Sequence, residues 1–156
     1  MNRNVKFPPS CRGLLGCFAL VLFAATAQAK APVGRFAIKT DASGNVVVDA
    51  TFKVSWQQAT AASPYNWTNA KAYCQNLQLQ GSGWRLPTLR ELQSLVDFKT
   101  SSPAIDKAYF PDTVNDYYWT STVYQPSASV AWVVFFIIGN SDYDGIAFSL
   151  RVRCVR

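Results

Sequence analysis

At 156 residues, 49% of them apolar, the chain has the length of one domain with a short appendage and enough apolar mass for a core. It contains no histidine, which removes Ser-His-Asp and Cys-His catalysis and every histidine-based metal site. The formal charge of +6 overstates the basic character of the folded part, because three of its positive charges lie in the first 29 residues.

Those residues have the order of a secretory signal peptide: Arg3, Lys6 and Arg12 form a basic front, residues 13–26 are an apolar run, and Ala27-Gln28-Ala29 is a small-x-small cleavage site. The apolar run is shorter than the roughly 20 residues a spanning helix needs, so no stable membrane span is expected after cleavage. Most of it follows Cys17, which argues against a lipoprotein processing site. Export to the periplasm, the cell surface or the medium is the expectation. Taking Arg3, Lys6 and Arg12 from the 15 Lys and Arg leaves 12 against nine Asp and Glu, a net of +3. That balance admits acidic polysaccharide or anionic lipid. Without a Lys/Arg stripe it gives no expectation of nucleic acid. Cleavage also removes Cys11 and Cys17, so Cys74 and Cys154 alone reach an oxidising compartment. One pairing is open to them, and it would close about 80 residues.

In chain order, residues 35–39 and 46–50 read as two short strands around the turn Asp41-Ala42-Ser43-Gly44-Asn45, and Phe52-Lys53-Val54-Ser55-Trp56 as a third. A polar, alanine-rich loop leads to Pro64 and Tyr65. Asn66 can then cap a helix whose Trp67, Ala70, Tyr73 or Cys74, and Leu77 share a face. Asn66-Trp67-Thr68 is also a glycosylation sequon, but capping is the preferred reading. Gly81-Ser82-Gly83 ends this helix and delivers the chain to Trp84-Arg85-Leu86-Pro87-Thr88. Pro87 holds its neighbour extended. Thr88 and Glu91 form a Thr-x-x-Glu capping box, behind which Leu89, Leu92, Leu95, Val96 and Phe98 predict about three helical turns. Residues 99–115, with Pro103 and Pro111, predict an ordered but irregular loop. Strands are expected over 117–124, 130–138 and 146–155, separated by Gln125-Pro126-Ser127 and by a turn over 139–145. The middle strand, apolar on both faces from Ala131 to Ile138, should be the buried centre of an antiparallel meander. The class is α+β.

Residues 67–74 are followed by Trp84-Arg85-Leu86-Pro87-Thr88, Glu91-Leu92, Leu95-Val96-Asp97, Pro103-Ala104-Ile105-Asp106 and Phe110-Pro111, then by Tyr118-Trp119-Thr120-Ser121, Ala131-Trp132 and Val152-Arg153-Cys154-Val155. This ordered set resembles the bacterial Lcl C-terminal domain family over about residues 35–156. The resemblance implies one domain over residues 30–156 with a C-type lectin-like fold, in which two helices pack on a small twisted antiparallel sheet with long irregular loops. It also implies a bridge from Cys74 on the first helix to Cys154 on the last strand, and ligands met on loops near the C-terminal strands. The Arg-Leu-Pro-Thr approach to the second helix is shared with the formylglycine-generating branch of that fold, whose copper-binding cysteine pair has no counterpart here. For the few members with a known role, the resemblance implies extracellular adhesion or glycan binding.

Glu91 is the sole glutamate, and its capping role accounts for it. Asp112 with Asp116 and Asp142 with Asp144 are the carboxylate neighbours available for glycoside hydrolysis, yet they read as loop solvation, so no catalytic residue is assigned and no enzyme is expected. Asn140, Asp142, Asp144 and Gly145 fit the opening of a calcium loop, but Arg151 stands where a bidentate glutamate belongs. A hairpin turn is therefore expected there. No metal ligand or cofactor is assigned, and calcium is the one ion the pattern leaves open. Sugar recognition asks for flat aromatic faces beside short polar groups, and Tyr124, Asn140, Asp142, Tyr143 and Asp144, expected in the loops of the meander, are the ligand-binding candidates. Tyr117, Tyr118, Trp119 and Trp132 are assigned to the core. Arg151, Arg153 and Arg156 could form an anion strip, or Arg153 could be buried against a carboxylate such as Asp97. The functional expectation is a secreted or surface-displayed, non-catalytic module that binds glycan, acidic or sulfated glycans included, in adhesion. The alternative is a protein-interaction or self-association module of the envelope, whose partner is an envelope or host surface protein.

Overall fold

Alternation of β-branched and polar residues around a tight turn builds the N-terminal ribbon. In the computed structural model, which describes residues 32–156, β1 (Phe36–Asp41) and β2 (Gly44–Asp49) pair antiparallel from Phe36↔Asp49 to Asp41↔Gly44. Gly44, at φ 130°, supplies the positive φ just after the two-residue turn. β3 (Val54–Gln57) adds antiparallel to the other side of β2, so the sheet order is β1-β2-β3. The expected signal segment, residues 1–29, lies outside the described residues.

Both helices begin where the sequence places them. At α1 (Trp67–Asn76), the Asn66 side chain accepts the Asn69 N–H at 2.9 Å, and the inward residues are Ala70 and Cys74. At α2 (Leu89–Gln93), the Thr88–Glu91 capping box is complete. The helix stops after five residues, however, and not after three turns. Leu95 and Val96 donate to the carbonyls of Leu92 and Gln93, and Asp97 then donates to Ala104 across the chain at 3.1 Å. The turn buries Leu95 in the core but leaves Phe98 outside. Helical spacing of the apolar residues continued where helical hydrogen bonding did not.

The second sheet contains β4 (Tyr117–Val123), β5 (Val130–Phe135) and β6 (Asn140–Gly145) in the order β4-β5-β6, all antiparallel. The fold is α+β with two three-stranded sheets, where a single small sheet was expected. The meander is also displaced along the chain. β5 ends at Phe135, Gly139 turns the chain at φ 80°, and the segment expected as a turn is the third strand, paired from Phe135↔Asn140 to Val130↔Gly145. A side chain at Gly139 would collide with Val96, which fixes the turn at that position. The polar residues of β6 suit an edge strand, where one side of the backbone faces water.

Residues beyond Gly145, expected as the last strand, instead form an extended connector that touches many elements through single bridges. These are Tyr65↔Leu150, Tyr118↔Arg151, Trp56↔Val155 and Arg85↔Val155. Ser55 and Arg156 exchange N–H···O bonds of 2.7 and 2.8 Å, and Arg85 and Val155 exchange bonds of 2.8 and 2.9 Å. Cys154, on this connector, is bonded to Cys74 of α1, with the two Cα atoms 5.5 Å apart and both residues fully buried.

The bridge closes 80 residues, a loop length for which chain-entropy reasoning gives about 4.5 kcal/mol as an upper figure. A Cys74→Ala, Cys154→Ala double variant is expected to lose about 2–5 kcal/mol in urea unfolding. A loss below about 1 kcal/mol would mean that the connector is held without the bridge.

Candidate functional site

Strand pairing creates an aromatic ledge across one face of the second sheet, with a ring from β5, a ring from β6 and a ring just after β4. The β5–β6 register sets Trp132 opposite Tyr143. β4 carries an irregularity between Trp119 and Val123, after which the Tyr124 N–H bonds the Val130 carbonyl at 2.9 Å. That placement stacks the Tyr124 and Tyr143 rings 4.3 Å apart and nearly parallel at 18°. Trp132 meets both edge-on, at 5.6 and 5.9 Å. Tyr143 is 50% exposed, while Tyr124 and Trp132 are half-buried. The tryptophan assigned to the core from sequence is thus part of the surface feature. Alternation gave no signal of this, because Val134, on the same face of β5 as Trp132, is fully buried, as are Ala131 and Val133 on the other.

The five ligand-binding candidates do not form one cluster. Strand alternation puts Asn140, Asp142 and Asp144 on the opposite side of β6 from Tyr143. The Asp142 and Asp144 carboxylates accept the next residue's N–H, from Tyr143 at 2.8 Å and from Gly145 at 2.7 Å. Since residues 140–145 are extended and not looped, their alternating oxygens do not curl around an ion, and the hairpin turn expected there lies over 136–139. Among the described residues no group of three or more acidic or cysteine side chains is arranged to hold a metal.

The motif from Trp84 to Glu91 holds the ledge strands from the side. The Trp84 indole N–H donates to the Leu79 and Gly81 carbonyls, and Leu86 and Pro87 are buried. Arg85 donates twice to the Glu91 carboxylate, at 2.8 and 2.6 Å. Glu91 also accepts from the Thr88 N–H at 2.8 Å. Two further bonds lay this segment on β4: Ser121 N–H to the Pro87 carbonyl at 2.7 Å and Leu89 N–H to Thr122 Oγ1 at 3.0 Å. From α2, the Gln93 side-chain amide reaches Ser141 on β6 at 3.0 Å. These motif residues are scaffold, and the ledge depends on them.

The sequence profile of the Lcl C-terminal domain family matches residues 45–156. The chain belongs to the Lcl C-terminal domain family. No curated protein matches it. Within this Lcl C-terminal domain, the matched stretch takes in both helices, the whole second sheet and the connector, and leaves β1 outside.

The three arginines of the connector do not form a strip. Arg153 is buried over the Phe110 ring and donates to Thr60 at 2.9 Å, Asp112 at 3.2 Å and Thr113 at 3.1 Å, so its carboxylate partner is Asp112 and not Asp97. Arg151 pairs with Asp116 at 3.0 Å, and Arg156 donates to the Gln80 carbonyl and lies over Trp84. Two of the four aspartates weighed for hydrolysis are thereby engaged in structural ion pairs.

Hydrogen bonds from Arg85, aided by the Thr88 amide and hydroxyl and opposed by partial burial, hold the Glu91 carboxyl at about 2, below its ordinary 4.5. A lowered folded value contributes stability that is fully present above about 4.5 and is lost as the pH falls through about 2. Glu91→Gln is therefore expected to cost about 0.5–2 kcal/mol at neutral pH. The difference in Tm from the unmodified chain should close as the pH approaches 2, as followed by circular dichroism. An equal difference at both ends of that range would refute the assignment.

Proposed function

We propose that this chain is an exported, non-catalytic binding module of C-type lectin-like fold that recognises glycan in adhesion. The observation that carries the reading is the stacked Tyr124–Tyr143 pair braced by Trp132, which sets an exposed aromatic surface beside a polar edge strand. Aromatic faces pack against the C–H surface of a pyranose, and Ser141, which alternation puts on Tyr143's side of β6, with the Gln93 amide bonded to it, offers partners for hydroxyls. The charged side chains flanking Tyr143 along β6, Asp142 and Asp144, are carboxylates on the reverse side of the strand and supply no counter-ion, so neutral, hydroxyl-rich sugars are favoured over sulfated or uronic ones. Support for export comes from the basic, apolar, small-residue order of the first 29 residues and from the buried Cys74–Cys154 pair. No helix among the described residues is long and apolar enough to cross a membrane. The fold assignment is supported by a disulfide that ties the first helix to the C-terminal connector, and by the pairing of that connector with β3.

Binding of the exported chain to an array of neutral, sulfated and uronic glycans tests this, with calcium and with chelator. Saturable binding to neutral glycans is expected, with a loss of about tenfold or more in Tyr143→Ala at unchanged Tm. No binding to any glycan, or full binding by the variant, would overturn the assignment to the ledge. Loss of binding in chelator would bring calcium into the site.

A second reading, self-association or docking of an envelope protein, is favoured by a separate observation. Phe98 is 79% exposed and Ile138 is 57% exposed. The Phe98 ring lies against Gly139, the neighbour of Ile138, where a Cβ would come 3.5 Å from it. Apolar side chains set together on a surface mark contacts between proteins. If this pair mediates association, sedimentation equilibrium will show a concentration-dependent dimer or higher species that Phe98→Ser reduces to monomer. A monomer at all concentrations would remove self-association.

A further inference from the structure

A second aromatic feature lies on α1, apart from the ledge and outside every residue considered so far as a ligand contact. Asn69, Tyr73 and Asn76 recur at helical spacing along one flank, with Ala72 among them, while Ala70 and Cys74 face the core. Tyr65, which precedes the helix, stacks on Tyr73 with ring centroids 5.2 Å apart and an interplanar angle of 22°. Together with Ala72, Leu77 and Gln78 these residues line an open depression of about 450 Å³, within the roughly 300–1,000 Å³ range of small-molecule sites. Position 72, one of its lining residues, carries only a methyl group.

The platform is held in place before any ligand arrives. Tyr65 exchanges backbone hydrogen bonds of 2.9 and 3.0 Å with Leu150 on the connector. The Tyr73 hydroxyl accepts from the Gln57 side-chain amide at 2.8 Å. Both rings are half-buried, whereas Asn69, Asn76 and Gln78 are exposed. A fixed platform loses little ordering entropy when something binds to it. Each amide provides both donor and acceptor atoms, a match for neighbouring sugar hydroxyls that both give and accept hydrogen bonds. The lining contains no charged side chain. A carboxylate or sulfate seated there would lose water and gain no counter-ion.

We infer that this depression is a binding subsite for an uncharged pyranose, seated with its C–H face against the Tyr65–Tyr73 pair and its hydroxyls on the amides of Asn69, Asn76 and Gln78. It stands independently of the aromatic ledge. A single sugar ring at a shallow, open site is expected to bind weakly.

The test is a heteronuclear NMR titration of the exported chain with methyl α-mannopyranoside, methyl β-galactopyranoside and N-acetylglucosamine, with glucuronate as the charged control. Saturable shifts at the Asn69, Ala72 and Asn76 amides are expected for at least one neutral sugar, with glucuronate weaker by about tenfold. Ala72→Leu fills the depression at an exposed position with a good helix former. It should abolish the shifts without lowering Tm, while Tyr143→Ala should leave them unchanged. Should Ala72→Leu destabilise the chain, Asn76→Ala decides the same question through an expected loss of about tenfold. The proposal is overturned if no neutral sugar gives saturable shifts at α1, if glucuronate binds equally well, or if binding survives the filled depression. Shifts confined to Tyr124, Trp132 and Tyr143 would overturn it while leaving the ledge intact.

Discussion

The C-terminal connector is the constraint on which the other elements depend. Val155 alone bridges Trp56 of the first sheet and Arg85 of the approach to α2, while Arg151 bridges Tyr118 of the second sheet. A five-residue helix is not stable in isolation, and each three-stranded sheet has an apolar face that must be buried against another layer. Here the layers are joined by a strip of chain that belongs to no ladder. It contributes a hydrogen bond to each neighbour in turn, and Cys154 fixes it to α1 through Cys74. Backbone polar groups that would be orphaned inside the protein are satisfied by this route.

Arg153 gives the same connector a second function. Its guanidinium is fully buried, and its bonds to Thr60, Asp112 and Thr113 draw two irregular segments onto the core. Among the described residues its Nε and Nη1 have no hydrogen-bond partner, and the ring of Phe110 lies under the group. A buried charge paired with a carboxylate that is 43% exposed adds little net stability against an apolar alternative. What it does fix is position. The long stretch between α2 and β4 has few regular hydrogen bonds of its own, and this cation specifies where part of it must lie.

The residues proposed for recognition and the scaffold residues are separated in this chain. Trp84, Arg85, Thr88, Glu91, Cys74 and Cys154 spend their bonding capacity on one another and on the backbone. Tyr124 and Tyr143 on the second sheet, and Tyr65 and Tyr73 at α1, instead lie on surfaces where a ring can be exposed without opening the core. A scaffold of this kind tolerates different ligand chemistries at its edges, because a change in an edge side chain leaves the connector and caps untouched.

The sequence by itself determined what is made by near neighbours. The Asn66 cap and the Thr88–Glu91 box rest on hydrogen bonds between residues three apart, and the β1–β2 ribbon is set by a tight turn between consecutive strands, so composition and spacing were enough. The cysteine pairing was legible for another reason, since only two cysteines follow the expected cleavage site. Tertiary structure alone decided the rest. Apolar residues at 95, 96 and 98 satisfy a helical period and an irregular turn equally well, and Ala104 supplied the competing acceptor for Asp97. Residues 139–145 look like a turn by composition, yet the pairing energy of β5 makes most of them a strand. That choice split Tyr143 from Asp142 and Asp144 and joined it to Trp132. Which face a strand residue occupies depends on the register of its partner, and register is a property of two segments that the local sequence of one does not contain.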